Sequence, residues 1–342
     1  HSEAIQAVLN ALVDADNGVI GSMKEIDAVG HRVVHGGEKF ANSVKIDDAV
    51  MAAIDECTPF APLHNPAHVL AIRACIKTFG DKIPQVVVFD TSFHQTMPPK
   101  AYMYPLPYEY YEKYGVRKYG AHGTSHRFVA YRAAELMGKD LKDFKLITCH
   151  LGNGASITAI KDGKVLDTSM GLTPLDGFMM GTRCGGVDPS AVTFIMDKHN
   201  ISPKEMDTIM NKKSGVLGIS GVHSDDRVVK QAAKDGNARA KLARDMQWYQ
   251  IRKYIGSYVA AMDGVDCIAF TGGIGENCDD LRADVCKNLS FLGIKIDEQL
   301  NASIHGDEAE LTLPGCKVRV FVIPTNEELA IARDTKAIAE AL

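Results

Sequence analysis

Apolar positions along the chain recur with two periods, and the switches between them outline the elements. The opening stretch "SEAIQAVLNALVDA" places Ile5, Val8, Leu9 and Leu12 at helical spacing. "IDAVGHRVVHGGEKF" follows as a strand-like run ending in paired glycines. "PQVVVFDTSFHQTMP" is apolar and β-branched at consecutive positions, the pattern of a strand buried on both faces, and that strand should end at Asp90. "KLITCH", "SITAI" and "KVLDTS" predict three more strands, the last two joined by Lys-Asp-Gly, a hairpin turn. Residues 188–263 are mostly helical in pattern, with "RDMQWYQIRKYIGSYVAAM" the longest stretch. "DCIAF" and "VRVFVI" supply further buried strands, and "TNEELAIARDTKAIAEAL" closes the chain as a helix. The expected class is α/β, with functional loops at the carboxyl ends of strands.

Composition narrows the function classes. With 342 residues, 46% hydrophobic and 24% charged, the chain has room for two domains with proper cores. A net charge of −5 leaves no basic surplus for a dedicated nucleic-acid binder. No apolar run approaches a membrane span, and the start lacks a basic region followed by an apolar core. The eight cysteines form no C-x-x-C pair and several sit in apolar runs. Reduced, buried thiols in a cytoplasmic protein are expected, rather than structural zinc or a disulfide framework.

The chemistry is concentrated where strands end. "FTGGIGEN" (270–277) puts three glycines in four positions after a strand, yet it lacks the Gly-Lys-Ser/Thr ending and cannot thread G-x-G-x-x-G. "CHLGNGAS" (149–156) is of the same kind, although a tight turn between two strands would also explain it. Two such units far apart in sequence favour a nucleotide held between two lobes. "GLTPLDGFMMGTRCGGVDP" (171–189) holds five glycines, exposed-looking methionines and one basic residue, Arg183. An arginine among glycines suits a transferring phosphoryl group. Arg32 enters an apolar strand, where it could clamp a carboxylate or phosphate rather than merely face solvent. Asp90 sits where a catalytic acid or base would sit, though it could equally be a helix cap. His122 and His126 have metal-ligand spacing, but Gly123 and the missing Glu favour a loop histidine before a helix capped by Thr124 or Ser125. Thr325 and Glu328 read as a capping box, which leaves Glu327 free to face Mg²⁺.

Taken in order, "HRVVHGGEKF", "FDTSFHQTMP", "YGAHGTSH", "HLGNGAS", "GLTPLDGFMMGTRCGGVDP", "TGGIGEN" and "TNEELAIA" resemble the acetokinase family. That family stands with the sugar kinases, heat-shock chaperone ATPases and actin. The resemblance implies a two-lobed, actin-like ATPase (ribonuclease H-like) fold with a duplicated core. An N-terminal lobe would comprise 1–90 with 326–342, and a nucleotide-binding and dimerisation lobe 91–325. It implies ATP and ADP as substrates, Mg²⁺ with Mn²⁺ as an alternative, acetate and acetyl phosphate, and a homodimer. Arg32 and Arg183 would hold the carboxylate and the phosphoryl group, Asp90 would position the attacking side, and His122 would stabilise equatorial charge. His150, Leu151, Gly152, Asn153 and Gly154 would meet the ATP phosphates. Asp225, Asp226, Arg227 and Gly273, Ile274, Gly275, Glu276, Asn277 would line the adenosine. Val34, Leu63, His64 and Pro174 would surround acetate, and Glu327 would serve Mg²⁺.

Two departures from the family pattern matter. Members normally open with a strand bearing Asn-x-Gly-Ser-Ser-Ser-x-Lys, whereas this chain starts in the helical region beyond it, so the first lobe is expected to lack its opening strands. A catalytically dead nucleotide-binding fragment is the corresponding alternative. Ala121 stands where a Phe commonly lines the acetate methyl pocket, which makes a propionate or short-chain acid kinase the runner-up. A metal hydrolase built on His122/His126 and His64/His68 is a third reading.

Overall fold

The computed structural model describes residues 2–80 and 82–342, with side chains described from Gln6 onward, so Ile5 of the predicted opening helix lies outside the described side chains. Nine strands run β1 Val29–Val33, β2 Val44–Lys45, β3 Gln85–Phe89, β4 Leu146–Leu151, β5 Ala155–Lys161, β6 Lys164–Thr168, β7 Cys267–Thr271, β8 Ala309–Glu310 and β9 Arg319–Val322. The helices are α1 Ser2–Leu12, α2 Asp48–Glu56, α3 Asn65–Phe79, α4 Pro99–Tyr102, α5 Glu109–Tyr114, α6 Gly123–Met137, α7 Pro189–His199 and α8 Pro203–Lys212. They continue with α9 Gly215–Ser220, α10 Asp226–Lys234, α11 Ala238–Met262, α12 Gly272–Asn277, α13 Asp279–Lys287, α14 Glu298–Ser303 and α15 Glu327–Glu340. The chain divides into two compact units, one of residues 1–95, 121–124 and 326–342, the other of 96–120 and 125–325.

In the first unit the sheet order is β1-β3-β2, with β1 and β3 parallel and β2 antiparallel to β3. All five residues of β3 are buried, as its unbroken apolar run requires. Val33, Ile54, Ile72, Val87 and Phe89 form the core, with Phe40 stacked on Phe89 at 4.3 Å between centroids. α15 lies directly on β1: a Cβ at Gly30 would come within 2.4 Å of Thr335 Oγ1.

In the second unit six strands run β6-β5-β4-β7-β9-β8. β4, β7 and β9 are parallel, while β5, β6 and β8 pair antiparallel with their neighbours. The β5–β6 hairpin turns on Asp162 and Gly163, at φ 54° and 73°, the pair of positive values that a two-residue primed turn needs. The trio β7-β9-β8 repeats the order and sense of β1-β3-β2, down to the antiparallel edge strand that falls between the other two in sequence. α11, 25 residues long, supports this unit by packing on α9, α10, α13 and β5.

Three local expectations need correction. α15 is capped by Asn326, whose side chain accepts from the Leu329 amide, so the Thr325/Glu328 box does not form. Thr325 instead accepts a hydrogen bond from Ser125 and donates its amide to Glu276. α6 begins at Gly123, which puts Thr124 and Ser125 in its first turn rather than at its cap. The loop methionines Met179 and Met180 are buried, 3% and 0% exposed, because the glycines around them let the loop fold onto its own core.

Candidate active site

In the first unit, parallel pairing of β1 and β3 brings Arg32 and Asp90 to the same end of the sheet. Asp90 continues the register, its amide donating to Val33 O at 3.0 Å. Arg32 then grips the carboxylate with a two-pronged fork, Nε to Oδ1 at 2.9 Å and Nη2 to Oδ2 at 2.7 Å. Asp90 is 1% exposed, so its charge is matched almost entirely by this guanidinium. The pair holds Arg32 charged, its pKa raised first by the Coulombic pull of Asp90. Arg32 is expected to clamp a ligand; here two of its five N–H groups are committed to Asp90, and the rest of its 41%-exposed side chain is left for an anion.

Glu327, the first residue of α15, lies 3.9 Å from Arg32 through Oε2, and that oxygen is buried with no hydrogen-bond partner. Burial pushes its carboxyl pKa up, against the pull of Arg32. His122 holds φ 58°, a left-handed value uncommon outside glycine, immediately before α6. The next amide, Gly123 N, donates to Asp90 O at 2.9 Å, and a Cβ there would sit 2.2 Å from that oxygen. His122 is thus tied by its backbone neighbour to the end of β3. Val34 and Ala121 are buried, Leu63 is 52% exposed and His64 occupies the N-cap position of α3. His68 Nδ1 is buried without a hydrogen bond, and burial and then Arg32 lower its pKa, keeping the ring neutral.

In the second unit, Gly152, Asn153, Asp225, Asp226, Arg227, Gly273, Ile274 and Asn277 line one cavity of about 760 Å³. Four other lining residues, His223, Ser224, Lys230 and Cys278, lie outside the glycine motifs. Asp225 caps α10 by accepting from the Arg227 amide, and the Arg227 side chain bonds it as well. Those bonds bring the Asp225 carboxyl down to about 2. The glycines of the predicted phosphate motif divide their work. Gly272, at φ 75°, approaches β4 so closely that a Cβ would meet Leu151 O at 2.8 Å, whereas a Cβ at Gly273 would meet nothing within 4 Å. Gly273 is the one open to the cavity. Glu276 is turned inward, its Oε1 accepting from Gly272 N and Thr325 N, so its carboxylate serves the strand-to-helix turn. Leu151, Gly154 and Gly275 are not among its lining residues. His150 is buried and its Nδ1 meets Ser125 Oγ at 2.7 Å.

Arg183 differs from Arg32 in having no ion pair among the described residues. Its Nη1 donates to Pro174 O at 3.1 Å, and burial lowers its pKa. A cation placed in a half-buried loop without a counter-charge is electrostatically incomplete until an anion arrives. Gly215, the first residue of α9, lets this loop pack closely: a Cβ there would come within 2.2 Å of Met180 O and 2.7 Å of Arg183 O.

The zinc-pair reading of His122 and His126 fails on His126, which is fully buried with Nδ1 on Thr148 and Nε2 on Ser156. Among the described residues no group of three His, Cys, Asp or Glu side chains is placed to hold a metal ion. Two contributors were not among the expected site residues. Asn65, fully buried, ties α3 to the end of β1 by reciprocal bonds with the His35 backbone. Ser125 links His150 to Thr325. An Asn between His64 and Pro66, at the start of a helix, was the only sequence hint of the first.

An α/β architecture of two sheets, with an arginine–aspartate pair at one strand end and glycine turns around a cavity at another, defines a phosphotransferase of the actin-like ATPase kind. The chain belongs to the acetokinase family, whose model matches residues 1–333. It is 57% identical over 341 residues to the acetate kinase of Halothermothrix orenii, covering 100% of this chain and 85% of that protein. The crystal structure of Porphyromonas gingivalis acetate kinase superposes with a TM-score of 0.94 at 52% identity, covering 99% of this chain and 84% of that one. A propionate kinase from Francisella tularensis superposes at 0.92 with 44% identity, over 99% and 85% of the two chains. No helix among the described residues is long and apolar enough to cross a membrane.

Proposed function

We propose that this chain is an acetate kinase, transferring the γ-phosphoryl group of ATP reversibly to acetate by direct in-line displacement. The observation that carries this reading is Arg183, a half-buried guanidinium with no acidic partner among the described residues, held in a glycine loop. In the reaction an acetate oxygen bonds to the γ-phosphorus while the bond from phosphorus to the β–γ bridging oxygen breaks, and ADP leaves with that electron pair. Such transfers ask the protein for positioning and charge neutralisation. Arg183 meets the charge on the transferring group. Arg32, oriented by Asp90, binds the acetate carboxylate, and His122 faces the equatorial oxygens. A carboxylate nucleophile needs no strong base, so Asp90 acts through Arg32. The cavity lined by Gly152, Asp225 and Gly273 receives adenosine, with His150 toward the phosphates.

Glu327 suits Mg²⁺. Its buried Oε2 lacks a hydrogen-bond partner, and Mg²⁺ usually takes only one or two carboxylates, completing its shell with water and substrate phosphates. When bound, that ion (or Mn²⁺) would neutralise charge on the β- and γ-phosphates. We place the protein in the cytoplasm, in keeping with eight unpaired cysteines, and read it as a homodimer.

The test is to incubate the protein with MgATP and acetate and trap acetyl phosphate as the hydroxamate. Hydroxamate formation that requires both substrates is expected. ATP binding without hydroxamate would replace the kinase with a nucleotide-binding module. A second reading, propionate as acceptor, is favoured by the small Ala121 side chain, buried beside His122.

A further inference from the structure

A charged cluster runs from the wall of the nucleotide cavity, where Asp226, Lys230 and Cys278 line it, to Arg244 and Asp280, which the proposed chemistry does not use. Arg244, on α11, is 8% exposed and extends away from its own helix. Its Nε donates to Asp226 Oδ1 at 3.3 Å and its Nη2 to Asp280 Oδ2 at 2.9 Å. Asp226 opens α10, and Asp280 stands in the first turn of α13. Cys278, between α12 and α13, donates its thiol to Asp280 Oδ1 at 3.0 Å and faces Asp226 Oδ2 at 3.4 Å. Lys230 closes the ring with contacts of 3.2 Å to Asp279 and to Asp280.

The elements joined in this way are two walls of the cavity, the third being Gly152 and Asn153. One wall is the start of α10, from His223 to Lys230, and the other runs from Gly273 to Cys278. Neither wall is continuous with the other in sequence, and each is short: α12 has six residues and α10 nine. α11, by contrast, is 25 residues long. A guanidinium presents a rigid planar fork, so one side chain anchored on a long helix holds two separate carboxylates at a set spacing. The arrangement is also held from above, since the Arg244 guanidinium lies 4.6 Å from the ring of Trp248, one helical turn on.

We propose that Arg244 is a positioning residue for the nucleotide site, setting the width of the cavity by bridging Asp226 and Asp280. This rests on the reading of that cavity as the nucleotide site. It predicts a selective defect. Loss of the fork should weaken nucleotide binding while leaving the acetate groups on Arg32 and Asp90 untouched, because misplacement of a wall by about 1 Å is enough to cost up to 100-fold.

Trp248 is the chain's single tryptophan, so its emission reports on this cluster and gives a direct binding signal. We would titrate MgADP into the wild-type protein, Arg244→Met and Arg244→Lys, following Trp248 fluorescence and, independently, heat of binding. Steady-state KM values for ATP and acetate would be measured alongside. Methionine keeps the stem that packs against the indole; lysine keeps the charge and loses the fork. The expected result is a Kd for MgADP roughly 10- to 100-fold higher in both variants, with acetate KM within about twofold of wild type. Lysine should fail nearly as badly as methionine, since geometry rather than charge is at stake. If Arg244→Met does not fold, Arg244→Lys and Asp280→Asn carry the test, since Asp280 is held by the fork without lining the cavity. Unchanged nucleotide affinity in folded variants, or an equal loss for acetate, would overturn the positioning role while the kinase reading stands. A wild-type protein that binds no nucleotide overturns both.

Discussion

Arg32 and Arg183 are the same residue type at two loop ends, yet their surroundings give them different tasks. Arg32 is locked by a buried carboxylate, which fixes its orientation before any ligand arrives. Among the described residues Arg183 meets a carbonyl and a thioether sulfur but no acid, which leaves its charge for an anion, in the proposed reaction the transferring phosphoryl group. Arg183→Ala should therefore lower kcat by roughly 10³-fold or more, with MgATP affinity within a few-fold of wild type. Single-turnover rates and equilibrium binding, measured side by side, check this; lost ATP affinity with intact turnover would reassign the residue. Ala121 invites a second comparison. One methylene is worth about 1–3 kcal/mol in a pocket, so this protein should accept propionate at a useful fraction of its acetate rate. Ala121→Phe should depress the propionate kcat/KM roughly tenfold or more relative to acetate. Equal exclusion by both proteins would end that idea. Both arginines were legible in the chain as isolated basic residues in apolar or glycine-rich runs. The Arg32–Asp90 pairing was not, because 58 residues separate the partners and only parallel strand pairing brings them together.

At the scale of elements, the strands were the readable part. An unbroken apolar run such as Gln85–Phe89 has few alternatives to a doubly covered strand, and Lys-Asp-Gly has few alternatives to a primed turn. Helix starts were less legible. Thr325 and Glu328 satisfy a capping box in spacing, but Thr325 is recruited by Ser125 and Glu276, leaving Asn326 to cap α15. Tertiary partners outcompeted a local motif worth about 1 kcal/mol. The start of α13 illustrates the same competition for charge. Burial would raise the Asp280 carboxyl, but the Cys278 thiol and the Arg244 and Lys230 cations outweigh it and bring the pKa to about 2. An ordinary aspartate titrates near 3.9 when unfolded, so the stabilisation is fully present above about pH 4 and lost as pH falls toward 2. The stability gap between wild type and Asp280→Asn, on the order of 2 kcal/mol at neutral pH, should shrink across that window. Denaturant melts at pH 6, 4 and 2.5 would show it, and a gap that does not change with pH would remove Asp280 from the acid response.

For the whole molecule, α7 stands apart: it carries Val192, Phe194, Ile195 and Met196, yet none of its residues is buried, and Phe194 is 61% exposed. Apolar surface of this kind is where the proposed homodimer would associate. In the homodimer proposed above, Phe194→Asp should shift the protein toward monomer in sedimentation experiments without lowering its melting temperature by more than a few degrees; an unchanged dimer would place the interface elsewhere. The chain by itself determined the α/β class, the glycine turns and the family, because each is written in short contiguous patterns that local backbone physics translates directly. It also named most residues lining the second unit's cavity: the glycine turns because they follow strands, and Asp225, Asp226 and Arg227 through the family resemblance. Only the tertiary structure decided which charges meet. Arg32 occupies both oxygens of Asp90, and the Glu276 carboxylate turns inward to its own helix, pairings that neither motif records. Arg244 had no motif at all. A buried ion pair is a property of two surfaces brought together, and the spacing of either partner along the chain carries no record of it.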